Sequence, residues 1–94
     1  MKELIEGYLT KTLGKEVLEH RLYGQGTIRA SGSYNLMVYS DGFRLNFGRH
    51  NLKDELTMGL FLIGLKDYMY ANGVSIDVRS AELGGSNFVM TATW

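Results

Sequence analysis

The stretch "VYSDGFRLNF", from Val38 to Phe47, decides the fold because it predicts one strand, a tight turn and a second strand. Its Asp41-Gly42 pair suits the positive backbone angles of a two-residue type I′ turn. We therefore expect a β-hairpin over residues 34–48. Three residue pairs would then share one mainly apolar face: Ser40 with Phe43, Val38 with Leu45, and Leu36 with Phe47.

A long helix is predicted directly after this hairpin, over residues 51–72. Asn51 is a good N-cap, and Asp54 and Glu55 stand in the first turn, where the helix dipole favours negative charge. Asn72-Gly73 is typical of a helix end, because glycine accepts the left-handed conformation that closes a helix.

The long helix carries two apolar stripes on nearly opposite sides. The first consists of Leu52, Leu56, Leu60, Ile63 and Tyr70, and the second of Met58, Phe61, Leu62, Leu65, Tyr68 and Met69. A helix that is apolar on two sides is expected to be buried on two sides. The sheet would cover one stripe, and the first helix or a second copy of the chain would cover the other. We predict a homodimer interface formed by Met58, Phe61, Leu62, Leu65 and Met69.

A second hairpin is predicted over residues 74–94. A three-residue loop, Gly84-Gly85-Ser86, would set Val78 against Ala92. We prefer this loop to a two-residue Gly84-Gly85 loop because it collects the apolar residues on one face. That face comprises Ile76, Val78, Phe88, Met90, Ala92 and Trp94.

The N-terminal region predicts a short helix and a pair of strands. Lys2 to Leu13 shows the spacing of one apolar helical face and is followed by Gly14, a suitable cap. Alternating residues around His20 predict a strand, Gly24-Gln25-Gly26 predicts a turn, and "TIRAS" predicts a second short strand. Gly32-Ser33 indicates either another turn or a bulge.

These elements predict one α+β domain over residues 1–94. Short turns between successive strands indicate an antiparallel sheet, and the helices would pack on one of its faces to give two layers. Ninety-four residues suffice for one domain, and 45% hydrophobic with 21% charged residues is ordinary globular usage. Whether the two hairpins join one sheet is left open by the sequence.

Composition also narrows the classes of function. The formal net charge is zero, which disfavours duplex DNA, because phosphate neutralisation supplies most of the affinity of such binders. The absence of cysteine excludes thiolate chemistry and disulfides and favours a cytoplasmic protein. The longest apolar run, "MGLFLIGL", is too short for a membrane helix, which needs about 18 residues. We therefore expect no membrane contact.

The sequence contains no convincing catalytic or cofactor motif. His20 would be either a general base or a partly buried strand histidine, and His50, beside Arg49 and a helix start, would be either an anion ligand or solvated. Neither histidine has an acidic residue at metal-ligand spacing, so we predict no metal and no cofactor. Asp67 would be either a buried acid or a residue at the edge of a stripe.

The outer face of the sheet is the predicted contact surface. We expect five of its residues to contact a partner, since tyrosine and arginine are enriched at protein-binding hot spots: Met37, Tyr39, Arg44, Asn46 and Arg79. The same face could stack bases and bind phosphates, or could simply be solvated.

Three functional hypotheses follow. The first is a non-enzymatic adaptor, regulator or inhibitor that contacts a larger protein, as a homodimer. The second is a sheet-face binder of single-stranded RNA or a nucleotide. The third is a small enzyme or ligand-binding domain with a pocket between helix and sheet, using His20 or Asp67 with Tyr68 or Tyr70.

Overall fold

A computed structural model describes residues 1–13, 17–19, 25–28, 32–48, 52 and 54–94. The chain forms two helices and six strands within this part. In chain order they are α1 Lys2–Leu13, β1 Val17–Glu19, β2 Gln25–Ile28, β3 Gly32–Val38, β4 Gly42–Gly48, α2 Glu55–Ala71, β5 Asp77–Gly84 and β6 Asn87–Thr93.

The strands form one antiparallel sheet in the order β1-β2-β3-β4-β6-β5. The two hairpins therefore join, because β4 pairs with β6 along its whole length, from Gly42 opposite Thr93 to Gly48 opposite Asn87. Residues of both helices belong to the same buried cluster as one face of the sheet. The predicted two-layer α+β architecture is confirmed, and the first helix has the predicted bounds.

The core lies between the helices and the inner face of β3, β4 and β6. The fully buried side chains are large and apolar, and they come from every layer: Ile5, Leu9, Leu36, Phe43, Leu45, Phe47, Leu65, Met69, Phe88 and Met90. Phe61 lies where the layers meet, with its ring centroid 5.6 Å from those of both Phe47 and Phe88. Edge-on and tilted contacts of this kind stabilise beyond the area that the rings bury.

The register of the first hairpin differs from the prediction by two residues. Val38 pairs with Phe43 rather than with Leu45. The amide of Tyr39 donates to the carbonyl of Gly42 at 2.7 Å. The two-residue loop is therefore Ser40-Asp41, not Asp41-Gly42. Because side chains alternate with a period of two, the shift leaves every residue on its predicted face.

Trp94 explains why the loop falls on Ser40-Asp41. The amide of Trp94 donates to the carbonyl of Asp41 at 3.1 Å, and its indole Nε1 donates to the carbonyl of Ser40 at 3.1 Å. Its ring also stacks on Phe43, with centroids 5.8 Å apart. Polar groups of the turn are thus satisfied by a residue 53 positions later than Asp41, which turn chemistry alone does not reveal.

Gly42 is required by the sheet and not by the turn. Its φ is not positive, in contrast to those of Gly73 and Gly85. A Cβ at position 42 would overlap the backbone carbonyl oxygen of Ala92 on β6. The glycine therefore allows β4 and β6 to pair closely at this end of the sheet.

The second hairpin has the predicted pairing but a different loop. Its turn is the two-residue Gly85-Ser86, since Gly84 pairs with Asn87. The register then shifts between Val78 and Ser80, which leaves Arg79 as a bulge and restores the predicted pair of Val78 with Ala92. The prediction of a three-residue loop was wrong because the extra residue lies within the strand.

The start of the long helix was predicted four residues too early. Asp54 is the N-cap, and its Oδ1 accepts hydrogen bonds from the amide and the hydroxyl of Thr57 at 2.8 and 2.9 Å. Asn51 lies outside the described residues. The predicted end is confirmed, because Gly73 has a φ of 85° and the amide of Val74 donates to the carbonyl of Met69. This is a Schellman motif.

The N-terminal strands also differ in detail from the expectation. Gln25 and Gly26 belong to β2, so the turn predicted at Gly24-Gln25-Gly26 does not occupy those two positions. Gly32 and Ser33 begin β3 and pair with β2. A bulge or turn there is therefore wrong, because both residues take part in a regular ladder. Gly14, His20 and Gly24 lie outside the described residues.

The two helices meet through small residues. The Tyr8 hydroxyl of α1 donates to the carbonyl of Phe61 in α2 at 2.8 Å. It approaches Gly64 so closely that a Cβ there would overlap it, and the Tyr68 hydroxyl fits over Gly7 in the same way. Burial raises the pKa of Tyr8 above its ordinary value of 10.0.

A second link joins α1 to the sheet, because the Tyr34 hydroxyl donates to the carboxylate of Glu6.

We expect Gly42→Ala to lower the free energy of unfolding by about 1–3 kcal/mol, because the new methyl group must displace the backbone of β6. Gly84→Ala is the matched control, since a Cβ at 84 meets nothing within 4 Å. Its effect should stay within about 0.5 kcal/mol. Urea unfolding measures both values, and an equal effect of the two substitutions would contradict the close β4–β6 approach.

A second matched pair lies within α2. Gly59→Ala should raise the free energy of unfolding by about 0.8–1 kcal/mol, since alanine is the better helix former and space is free. Gly64→Ala gains the same propensity but overlaps the Tyr8 hydroxyl, so it should be destabilising. Combining Gly64→Ala with Tyr8→Phe should recover part of the loss. Thermal unfolding of the three variants tests this, and a stabilising Gly64→Ala would refute the helix contact.

Candidate functional site

The outward side of α2 carries a row of exposed apolar side chains. Leu56, Leu60, Ile63 and Tyr70 are 72%, 62%, 60% and 74% exposed. Asp67, also exposed, stands in the same row. We call these five residues the outer stripe. Scattered exposed apolar residues are normal on a protein surface, whereas a contiguous row marks a contact surface.

The predicted homodimer interface lies on the other side of the helix. Phe61, Leu65 and Met69 are buried in the core of a single subunit, and Met58 and Leu62 pack partly against it. Phe61, Leu65 and Met69 are therefore not available to a second copy, whereas Met58 and Leu62 are covered only in part. The homodimer itself stays a prediction, but the side of α2 that faces inward is the one that contacts the aromatic rings of β4 and β6.

The layers that cover α2 leave the outer stripe bare. The sheet lies beneath the Phe61–Leu65–Met69 side, and α1 packs on one flank through Gly64 and Tyr68. Leu52, which the sequence places in the same stripe as Leu56, precedes the helix and is buried. The expectation that α1 covers the second stripe is therefore wrong, because α1 reaches only its margin.

Two features of the outer stripe bear on what it can bind. Gly59 lies beside it, and a Cβ there would meet nothing within 4 Å, so the helix backbone is accessible. Asp67 lies within it, and among the described residues its carboxylate makes no hydrogen bond or ion pair. Sequence reasoning missed this surface, although a carboxylate between Ile63 and Tyr70 is the signal that marks this side as the solvent side.

The structure brings the predicted partner-binding residues to the sheet face away from the helices. Met37 pairs directly with Arg44. Asn46 is two residues further along β4, on the same face. Tyr39 stands at the turn and is half-exposed.

Arg79 completes this face from the bulge in β5. Its Nε donates to the hydroxyl of Thr93 at 3.1 Å, and its guanidinium lies 3.3 Å from the carboxylate of Asp77. Beside it, the hydroxyls of Ser80 and Thr91 are 2.7 Å apart. Arg79 is thus part of a cross-strand polar network and is less free to bind a partner than Arg44.

The polar sheet face has few groups suited to base stacking. Tyr39 is its one aromatic residue in the described parts of β3 to β6 and their turns, because the phenylalanines of β4 and β6 point into the core. Proteins that bind single strands usually stack several bases on aromatic rings. One buried acceptor, Oδ1 of Asn35, has no hydrogen-bond partner there.

Two of the residues proposed for a helix–sheet pocket, Asp67 and Tyr70, do not lie between the layers. Asp67 and Tyr70 are on the exposed side of α2, and aromatic rings fill the helix–sheet interior around Phe61. His20, Arg49 and His50 lie outside the described residues.

In the parts of the chain that the structure covers, no three acidic or histidine side chains converge as they would around a metal ion. Neither described helix has the length and apolarity to cross a membrane.

Comparisons with protein-family models, with curated proteins and with solved structures found no match for this chain.

The assignment of inner and outer sides of α2 can be tested with two leucines. Leu65→Ala should lower the free energy of unfolding by about 2–5 kcal/mol, because Leu65 is fully buried and a cavity remains. Leu60→Ala, the same substitution on the outer stripe, should change it by less than about 0.5 kcal/mol. Chemical denaturation measures both. A large loss with Leu60→Ala would show that the stripe is covered within one subunit.

Proposed function

We propose that this chain is a non-enzymatic protein-binding module that contacts a larger protein through the outer stripe of α2. The observation that carries the proposal is the row of Leu56, Leu60, Ile63 and Tyr70, each at least 60% exposed. A helix with this pattern ordinarily covers its apolar residues against another layer. Within one subunit no described element covers them, so a partner protein would supply the layer that covers this side of α2.

Burial of the exposed side chains of the outer stripe would supply enough free energy for a stable protein–protein contact. Burying a leucine or isoleucine side chain contributes about 1.5–3 kcal/mol relative to leaving it exposed. Tyrosine adds a large, rigid apolar surface with a hydroxyl that can remain at the wet rim of an interface. Part of this gain offsets the translational, rotational and side-chain entropy that the two proteins lose on association. The remainder is the binding free energy.

The sheet face is the weaker candidate. Arg79 is engaged with Thr93 and Asp77, and Tyr39 stands alone as a stacking group among the described residues of that face. Arg44 and Asn46 would suit a polar rim rather than the centre of an interface. Binding of single-stranded RNA therefore has less support than protein contact, and nothing in the described residues favours an enzymatic role.

A pair of double variants tests the proposal. Leu60→Lys/Ile63→Lys places charge on the outer stripe, while Tyr39→Ala/Arg44→Ala alters the sheet face and serves as the matched surface control. A partner captured from the native host by the wild-type chain is purified, and its affinity for all three proteins is measured by calorimetry. We expect the control to bind like wild type and the stripe variant to bind at least tenfold more weakly.

The opposite pattern would contradict the proposal. A partner lost by the sheet-face variant and kept by the stripe variant would move the site to the sheet. Sedimentation equilibrium of the same proteins tests the homodimer: self-association that the stripe variant abolishes would replace the larger partner by a second copy. Circular dichroism shows whether each variant remains folded.

A further inference from the structure

We infer that the outer stripe takes an amphipathic α-helix of another protein, with a lysine or arginine in the layer that faces Asp67. The inference rests on the proposed function and deepens it by naming the class of partner. Three observations carry it: the spacing of the stripe, the open space at Gly59 and the carboxylate of Asp67, which has no ion pair among the described residues.

The spacing of the stripe fits a helix. Leu56, Leu60, Ile63, Asp67 and Tyr70 follow one another at intervals of four, three, four and three residues. These are the a and d positions of a heptad, which form a narrow seam along a helix and receive side chains from a second helix packed nearly parallel to it. The seam is about 21 Å long at 1.5 Å per residue, which is long enough for three to four turns of a partner helix.

The flank of the seam permits a second helix to approach the backbone of α2 closely. Gly59 lies beside Leu56 and Ile63 on the helix surface, and a Cβ at this position would meet only open space. A glycine inside a helix costs about 0.8–1 kcal/mol relative to alanine, and no contact among the described residues requires one here. At Gly64, by contrast, the Tyr8 hydroxyl accounts for the missing side chain. A partner helix packed against the backbone at position 59 would account for Gly59 in the same way.

Asp67 determines the charge of the partner. It is exposed and has no ion pair among the described residues, but a helix laid along the seam would take its carboxylate out of water. An unpaired buried carboxylate is strongly unfavourable, whereas one that meets a cation with good geometry is tolerated and makes binding selective. Lys66 cannot supply this cation easily, because it projects about 100° away around the helix. Lys11 of α1 is occupied over the ring of Tyr68, and no ion pair joins it to Asp67 among the described residues, so the cation is assigned to the partner.

A second copy of the chain does not meet this requirement. In a parallel pair of α2 helices, Asp67 would face its own copy, and like charges would be brought together. In an antiparallel pair that overlaps along the seam, Asp67 would lie opposite Leu56 of the second copy. Lys66 is the one cation within Glu55–Ala71, and it stays on the flank in both arrangements. Within Glu55–Ala71, self-association thus supplies no cation to either Asp67 carboxylate.

A membrane surface fits the outer stripe less well than a helix does. Helices that lie in the membrane interface carry many lysines and arginines on their polar side. The residues Glu55–Ala71 include a single lysine, while Glu55 and Asp67 are acidic. Anionic lipid headgroups would therefore be repelled by Asp67, which lies in the seam itself.

A display library of helical peptides tests the inference. The probe is a set of 24-residue peptides with leucine at most a and d positions and one a or d layer at a time randomised to all residue types. Selection is carried out on the wild-type chain and on Asp67→Lys, with Glu82→Lys as a control that makes the same charge change at an exposed position elsewhere. Binders are kept only if Leu60→Lys/Ile63→Lys weakens them at least tenfold.

We expect stripe-dependent binders of the wild-type chain to be enriched in lysine or arginine at one layer. Their affinity should fall at least tenfold with Asp67→Lys and stay unchanged with Glu82→Lys. Selection on Asp67→Lys should enrich aspartate or glutamate at the same layer. Gly59→Ala should also weaken the binders while it stabilises the fold.

Two outcomes would overturn the inference, and they are distinguishable. Stripe-dependent binders with no preference for a basic residue would leave the protein-binding function standing and remove the charge requirement. If no binder depends on Leu60 and Ile63, both the proposed function and the inference fail. Circular dichroism of every variant excludes loss of the fold as the cause.

Discussion

The ring of Phe61 is the contact on which the rest of the structure depends. Its centroid lies 5.3 Å from Tyr8 of α1 and 5.6 Å from both Phe47 of β4 and Phe88 of β6. Its carbonyl accepts the Tyr8 hydroxyl as well. One residue thereby joins both helices to the two strands through which the hairpins meet. Aromatic contacts have geometric preferences, so this cluster also fixes the rotation of α2 about its own axis.

The rotation of α2 decides what the surface of the protein offers. With Phe61, Leu65 and Met69 turned inward, the outer stripe must face away from the sheet. The α1 helix cannot reach it, because Tyr8 and Tyr68 dock against glycines on one flank. The same packing that stabilises the subunit therefore leaves a second apolar row exposed. A small two-layer domain has no third layer to cover it, which is why we assign it to a partner.

The sequence predicted the elements better than their exact register. The first helix, the antiparallel hairpins and the glycine end of α2 follow from local periodicity and capping, and all are present. The errors arose where distant residues intervene. Trp94 donates hydrogen bonds to the carbonyls of the first turn, and the close backbone of β6 requires the glycine at position 42. In the second hairpin, a bulge at Arg79 takes the place of a longer loop. None of these constraints can be seen within a window of a few residues.

For the candidate binding surface, too, some features follow from the sequence and others only from the tertiary structure. The sequence by itself determined that α2 carries more apolar surface than one sheet can cover and that Arg44, Asn46 and Met37 share the polar sheet face, because both follow from helical and strand periods. Only the tertiary structure decided which stripe of α2 is buried. The leucines, isoleucine and tyrosine of the outer stripe are about as apolar as the residues of the buried one, and shape complementarity with the phenylalanines of β4 and β6 fixes the helix with Asp67 on the solvent side.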